Sequence, residues 1–317
     1  MSTVYQYNVR DRDKIESHGE SRFHNYTSAV LHIAIVTHCD DIDAANVVTL
    51  TDEQVFITKC HPYHRYPKDT LFARAAVRNE IEIIRECSKL TQWPTLHPNF
   101  VSNYGTYKRS TRVSRIHGLE TPSHAYYTVN EYFRGGTMEH FLMDSKRPTP
   151  TRAEWVACVG QFLAAHATLT GVLQVSHGDL HWGNILFTQE LPGSKPYCYH
   201  FEGDSFYMPD QPWRWALWDF GQSRKLTHRT RYEWEADNER DLENIIESLS
   251  MPDLRVKPPK DLLRAITMPR RFPEKAPPAL TLLRNARDMF GFFHRDPSHL
   301  DNEYEHVNIR FPEGESI

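Results

Sequence analysis

Residues Ser176 to Leu186 read S-H-G-D-L-H-W-G-N-I-L, and no other stretch restricts the fold of this 317-residue chain as tightly. A carboxylate, Asp179, and a carboxamide, Asn184, stand five residues apart, with the apolar run Ile185-Leu186-Phe187 directly behind. The two polar groups serve one site only if the chain between them turns back on itself, so the stretch predicts a tight loop running into a buried strand. By itself it is also compatible with an ordinary polar turn, and the rest of the chain decides between these readings.

His177-Gly178-Asp179-Leu180 followed by Asn184 resembles the catalytic loop of the protein-kinase superfamily, H-R-D-L-x-x-x-N, with glycine in the arginine position. The resemblance implies that Asp179 is the catalytic base and that Asn184 holds magnesium against the phosphates of ATP. Further motifs follow in the family's order. Val30 to Val36, Val47 to Leu50 and Val55 to Lys59 have the β-branched content of strands, the last two joined by a turn at Thr51 to Gln54. They are expected to be the first three antiparallel strands of a small N-lobe. The third ends in F-I-T-K, the place of V-A-I-K, which makes Lys59 the candidate partner of the α- and β-phosphates. Ala73 to Leu90 carries Val77, Ile81, Ile84 and Cys87 at helical spacing and contains Glu80, twenty-one residues after Lys59, where the family's bracing glutamate belongs. Glu82 and Glu86 are out of phase with it and are expected to face solvent.

Leu96-His97-Pro98-Asn99-Phe100-Val101 resembles the approach to the fourth strand, after which Lys108, Arg109, Arg112 and Arg115 fall in a long connection expected to be a solvated loop. Tyr126 to Gly136 resembles the fifth strand and hinge. It implies Asn130 as gatekeeper, backbone groups of Glu131 and Phe133 against the adenine edge, and Leu186 as a further cofactor contact. Thr151, with Glu154 three residues on, is an N-cap for a helix reaching about Leu169, whose apolar residues Trp155, Val159, Phe162, Leu163, Ala167 and Leu169 make it the expected buried helix beneath the catalytic loop. Trp218-Asp219-Phe220-Gly221 supplies D-F-G, so Asp219 is the second magnesium ligand, and Asp241 is the candidate for bracing the catalytic loop from the next helix. Short helical patterns at Lys260 to Ile266 and Leu280 to Phe290 complete a reduced C-lobe.

The expected fold class is therefore α+β: a bilobal, protein-kinase-like fold, with an antiparallel N-lobe holding one helix and a mostly helical C-lobe. Residues 1–27 are an extension, and 28–317 form a single domain divided at about 133/134 into N-lobe and C-lobe. Asn184 and Asp219 are 35 residues apart, and Pro192 to Tyr207 within that interval reads as a β-hairpin. D-L-H-W-G-N together with this insert resembles the haspin branch of atypical protein kinases over residues 176–225, although haspins have a different metal-binding triplet from D-F-G.

Three departures bear on catalysis. No G-x-G-x-x-G precedes Lys59, and the 38–45 segment is acidic and glycine-free. Ile57 replaces the alanine of V-A-I-K, and no A-P-E follows D-F-G, so a peptide-docking activation segment is not expected. The implied function is ATP- and Mg²⁺-dependent phosphorylation of a protein on Ser or Thr. The alternatives are a small-molecule kinase of the aminoglycoside or choline-kinase type, whose loops H-G-D-L-H-x-G-N-I-L also resembles, and a pseudokinase binding module. Gly178 cannot pair with a phosphorylated segment, so activity is expected to be independent of phosphorylation at Ser223, Thr227, Thr230 or Tyr232.

A net charge of −4 gives no electrostatic reason for nucleic-acid binding, and no apolar run is long enough to cross a membrane or serve as a secretory signal. Five scattered cysteines without C-x-x-C spacing point to a reducing, intracellular setting, cytoplasmic or nuclear, and the eighteen histidines show no recognisable metal-ligand spacing. A protein substrate is the expected partner; oligomeric state is left open.

Overall fold

A computed structural model describes residues 30–36, 54–62, 70–92, 95–110, 115–116, 119–120, 124–201, 203–225, 230–251, 254–267, 278–290 and 303–311. The fold is mixed α and β, and the described residues form two compact units. One comprises the residues up to Arg85 together with Ser102–Tyr132, and the other Glu86–Val101 together with Phe133 onward.

The first unit is built on a four-stranded antiparallel sheet of β1 (Val30–Val36), β2 (Gln54–Pro62), β3 (Asn103–Ser110) and β6 (His124–Glu131), in the order β1-β2-β6-β3. β4 (Arg115–Ile116) and β5 (Leu119–Glu120) form a separate two-stranded ribbon. The edge of β2 that a 47–50 strand was expected to occupy is taken by β1, whose Leu31 lies opposite Lys59. Seven consecutive residues, V-L-H-I-A-I-V, offer a longer β-branched partner than V-V-T-L. Val47 to Leu50 itself, the 38–45 segment and residues 1–27 lie outside the described residues. The basic run is not one long connection: Lys108 and Arg109 extend β3 and Arg115 opens β4, because alternate pairing with β6 continues past the point where the composition turns basic. Helix α1 (Thr70–Leu90) follows β2. Ile81, Ile84 and Cys87 are buried as their spacing predicts, whereas Val77 is half-exposed.

In the second unit, Gly135 leads into β7 (Gly136–Thr137) and the short α2 (Met138–Met143). Thr151 caps α3 (Arg152–Gly171) through a capping box with Glu154. The sequence predicted a buried helix here, and every residue from Trp155 to Gly171 is buried, because α3 packs against both β12 (Trp213–Leu217) and α6 (Pro278–Phe290). Three small sheets surround it. β12 pairs with β9 (Ile185–Gln189), which pairs with β7. β13 (Arg224–Lys225) pairs with β8 (Val175–Ser176). The insert hairpin, β10 (Tyr197–Phe201) and β11 (Asp204–Tyr207), takes a third strand, β14 (Glu305–Ile309), parallel to β10. Helices α4 (Arg231–Ser250) and α5 (Lys260–Ile266) complete the unit. No described helix is long and apolar enough to cross a membrane.

Candidate active site

Within the first unit, β2 delivers Lys59 and α1 delivers Glu80, and their side chains meet: Nζ lies 2.7 Å from Oε1, with 5% and 9% of the side chains exposed. An ammonium on a flexible four-carbon stem is held in one place only by such a partner, and a helix over a sheet supplies it from far along the chain. Glu82 is exposed, and Glu86 bonds Lys89 on the helix surface, as their phase predicts. Asn130, on β6, is fully buried. Its Nδ2 donates to Thr128 Oγ1 at 2.9 Å and its Oδ1 accepts from Asn103 Nδ2 at 2.7 Å, so the sheet itself accommodates this polar side chain. Ile57 lies opposite Asn130 in the β2–β6 register. The Glu131 N–H donates to Ser102 O at 2.8 Å.

The second unit holds the loop, and Asp241 on α4 organises it. One carboxylate oxygen accepts from the His177 N–H at 2.7 Å and the other from the Gly178 N–H at 2.9 Å, as the sequence proposed. His166 Nε2 stands 3.7 Å away. Burial raises the carboxyl's pKa, but His166, His177 and the donated N–H together more than offset this and hold it below the usual carboxylate range. His177 is buried and therefore lowered, and its Nε2 donates to the Trp218 carbonyl at 2.9 Å. Since a carbonyl only accepts, Nε2 carries the proton.

That bond ties the loop to the D-F-G strand, and two others reinforce it: Ser223 Oγ donates to His177 O at 2.8 Å, and the Trp218 N–H donates to Asn184 O at 2.9 Å. Asn184 is buried, and its Nδ2 donates to the Asp179 carbonyl at 2.8 Å, which turns the chain back over the four residues between them. The Asp179 side chain is 53% exposed, with His181 Nε2 4.0 Å from Oδ2. His181 caps the short 3₁₀ turn Trp182–Asn184. Asp219 has φ +62°, a left-handed conformation few non-glycine residues adopt, and its Oδ1 accepts from the Gly221 N–H at 3.3 Å.

Gly178 has φ +80°, and a Cβ there would stand 2.4 Å from the Gln222 carbonyl oxygen, so this loop has room for no side chain in the arginine position. Between β13 and the N-cap of α4, Thr230, only residues 226–229 intervene. Leu186 and Phe133 belong to the apolar cluster with Val101, Ala216 and Trp218, and Arg214 lies over the Phe133 ring at 4.6 Å.

Sequence reasoning missed Ser223, His166 and the part played by H-P-N. Asn99 Nδ2 donates to Gln161 Oε1 at 2.8 Å and Trp215 O at 2.6 Å, while the Tyr199 hydroxyl donates to Asn99 Oδ1. One asparagine thereby pins α3, β12 and the insert hairpin. No family model and no curated protein sequence matches the chain, so its chemistry is argued from this geometry.

Proposed function

We propose that the chain is a bilobal, protein-kinase-like phosphotransferase that uses ATP and Mg²⁺ to phosphorylate a Ser or Thr hydroxyl of a protein. The buried Lys59–Glu80 pair carries the reading: an ion pair withdrawn from water costs several kcal/mol per ion in desolvation, and holding a lysine at one position for phosphate oxygens gives it a use. The oxygen donors of the second unit support it. Asn184 offers a carboxamide oxygen while its nitrogen is committed to the Asp179 carbonyl, and Asp219 follows the residue bonded to Asn184, so a hard cation such as Mg²⁺ suits the pair. Magnesium bound there would neutralise charge on the transferring phosphoryl group.

Within this reading, exposed Asp179 accepts the acceptor hydroxyl's proton, and Lys59, braced by Glu80, binds the α- and β-phosphates. The Glu131 carbonyl and Phe133 N–H take the adenine edge, with Leu186 as an apolar contact. One observation favours the small-molecule alternative: only four residues, 226–229, separate β13 from the N-cap of α4.

Thermal stabilisation by ATP and ADP, with and without Mg²⁺, followed by phosphoryl transfer to a peptide library and to aminoglycoside and choline acceptors, tests the proposal. A magnesium-dependent shift with transfer to peptide hydroxyls is expected. Transfer only to small acceptors replaces the substrate class, a shift without turnover leaves a nucleotide-binding module, and no shift overturns the reading.

A further inference from the structure

β10 and β14 lie side by side and parallel, with Cys198 opposite His306 and His200 opposite Asn308. Alternation sorts their side chains onto two faces. Tyr199, Phe201, Val307 and Ile309 share the inner face with Phe206 of β11, and all five are buried. Cys198, His200 and His306 fall on the other face, which requires no imidazole for packing. There, three ligand atoms, one from each residue, lie within 4.8 Å of one another. His200 Nε2 and His306 Nδ1 face each other at 2.7 Å with their rings nearly parallel, 10° apart. The other nitrogen of His200 is 2.8 Å from Ser205 Oγ on β11, the kind of bond that fixes a ligand imidazole's orientation.

We propose that Cys198, His200 and His306 form a binding site for a divalent d-block cation of zinc's type. One thiolate and two imidazoles are the donor set such an ion prefers, and Mg²⁺ is excluded by its demand for oxygen. In a tetrahedral Zn²⁺ site, ligand atoms sit about 3.4 to 3.6 Å apart, so the His200–His306 approach opens by well under 1 Å and Cys198, within 4.8 Å of both nitrogens, closes by at most about 1.3 Å. Binding forms one M–S and two M–N bonds; the Cys198 thiol proton leaves to solvent, the proton between the facing imidazole nitrogens moves to the other nitrogen of the ring that carries it, and a water completes the coordination. The metal replaces the direct His200–His306 hydrogen bond and clamps β14 to the insert hairpin, joining residues more than a hundred apart in sequence. The site uses none of the residues assigned to phosphoryl transfer.

The test is titration of the full chain, stripped with EDTA, with Co²⁺ followed by Zn²⁺. Expected are one equivalent bound, a thiolate-to-cobalt charge-transfer band in the near ultraviolet, tetrahedral d–d bands in the visible, and bleaching of both by Zn²⁺. His306→Ala, on the less buried strand, should weaken Co²⁺ binding at least tenfold with its circular dichroism unchanged. Cys198→Ser should remove the charge-transfer band, and Asn308→Ala, exposed on the same face, should alter nothing. Absence of the band in the unmodified protein, or its persistence in folded His200→Ala/His306→Ala protein, overturns the proposal.

Discussion

Replacing Gly178 by alanine adds one methyl group, and the structure separates the two costs of doing so. The first is conformational: at φ +80° an L side chain loses about 1 to 2 kcal/mol. The second is steric, because the new Cβ would meet Gln222 O at 2.4 Å, a backbone atom rather than a yielding side-chain end. Neither strand can retreat cheaply. The Gly178 N–H is bonded to Asp241, and Ser223, next to Gln222, donates its hydroxyl to His177 O. Relieving such an overlap costs about 1 to 3 kcal/mol, and the two terms together come to about 3 kcal/mol.

Gly193 isolates the first term, since its φ is +85° but nothing lies within 4 Å of the position a Cβ would take. Gly193→Ala is expected to cost only the conformational 1 to 2 kcal/mol, roughly. Urea unfolding of both variants and the unmodified protein, with the slope m checked for constancy, measures the difference, and the melting temperature of Gly178→Ala should fall by roughly 6 to 12 °C. Equal costs for the two alanines, within about 0.5 kcal/mol, would refute the argument that Gln222 excludes a side chain here.

Lys59→Met should abolish ATP turnover and, by leaving Glu80 buried without its cation, cost about 3 kcal/mol of stability; adding Glu80→Leu should restore stability but not turnover, as melting curves and a phosphoryl-transfer assay would show. Asp219→Asn should remove magnesium-dependent turnover with an unchanged melting curve, and retained turnover would dismiss Asp219 as a ligand. His97 is held down to about 3 by burial, and its Nδ1 accepts from the Asn99 N–H while Nε2 faces Thr168 Oγ1 at 3.0 Å, so the folded state keeps it neutral. Its stabilising contribution is therefore complete above about pH 6.5 and declines as pH falls towards 3, by about 2 kcal/mol at pH 5. Subtracting the unfolding profile of His97→Gln from that of the native chain should expose this slope.

Local patterns were legible wherever one residue's neighbours decide its state. The capping box at Thr151 and Glu154, the insert hairpin, and helices at Lys260 and near Leu280 all follow from spacing within a few residues. The Lys59–Glu80 meeting was readable because resemblance supplied the long-range pairing that periodicity lacks. What sequence could not supply was pairing between distant segments with no motif: β1 taking the edge of β2, β14 adding to β10, and His166 approaching Asp241. That α3 is a buried helix was legible in its composition, but which element forms its second wall was not, since α6 lies more than a hundred residues downstream.

The segment after D-F-G shows why its hydroxyls make a poor switch. Ser223 is buried, and its Oγ is committed to the carbonyl of His177, so a phosphate there would have to break the bond that ties the D-F-G segment to the 177–184 loop. Thr230 caps α4 through Glu233, and a phosphate on it would face that carboxylate directly. Tyr232 is exposed on the first turn of α4, beyond the strand it would need to order, and Thr227 lies outside the described residues. In kinases controlled from this segment, the loop arginine receives the phosphate; here that position is a glycine with no space for a side chain. The loop draws its order instead from Asp241, whose carboxylate already supplies the charge that a phosphate–arginine pair would bring, and which is present in every copy of the chain.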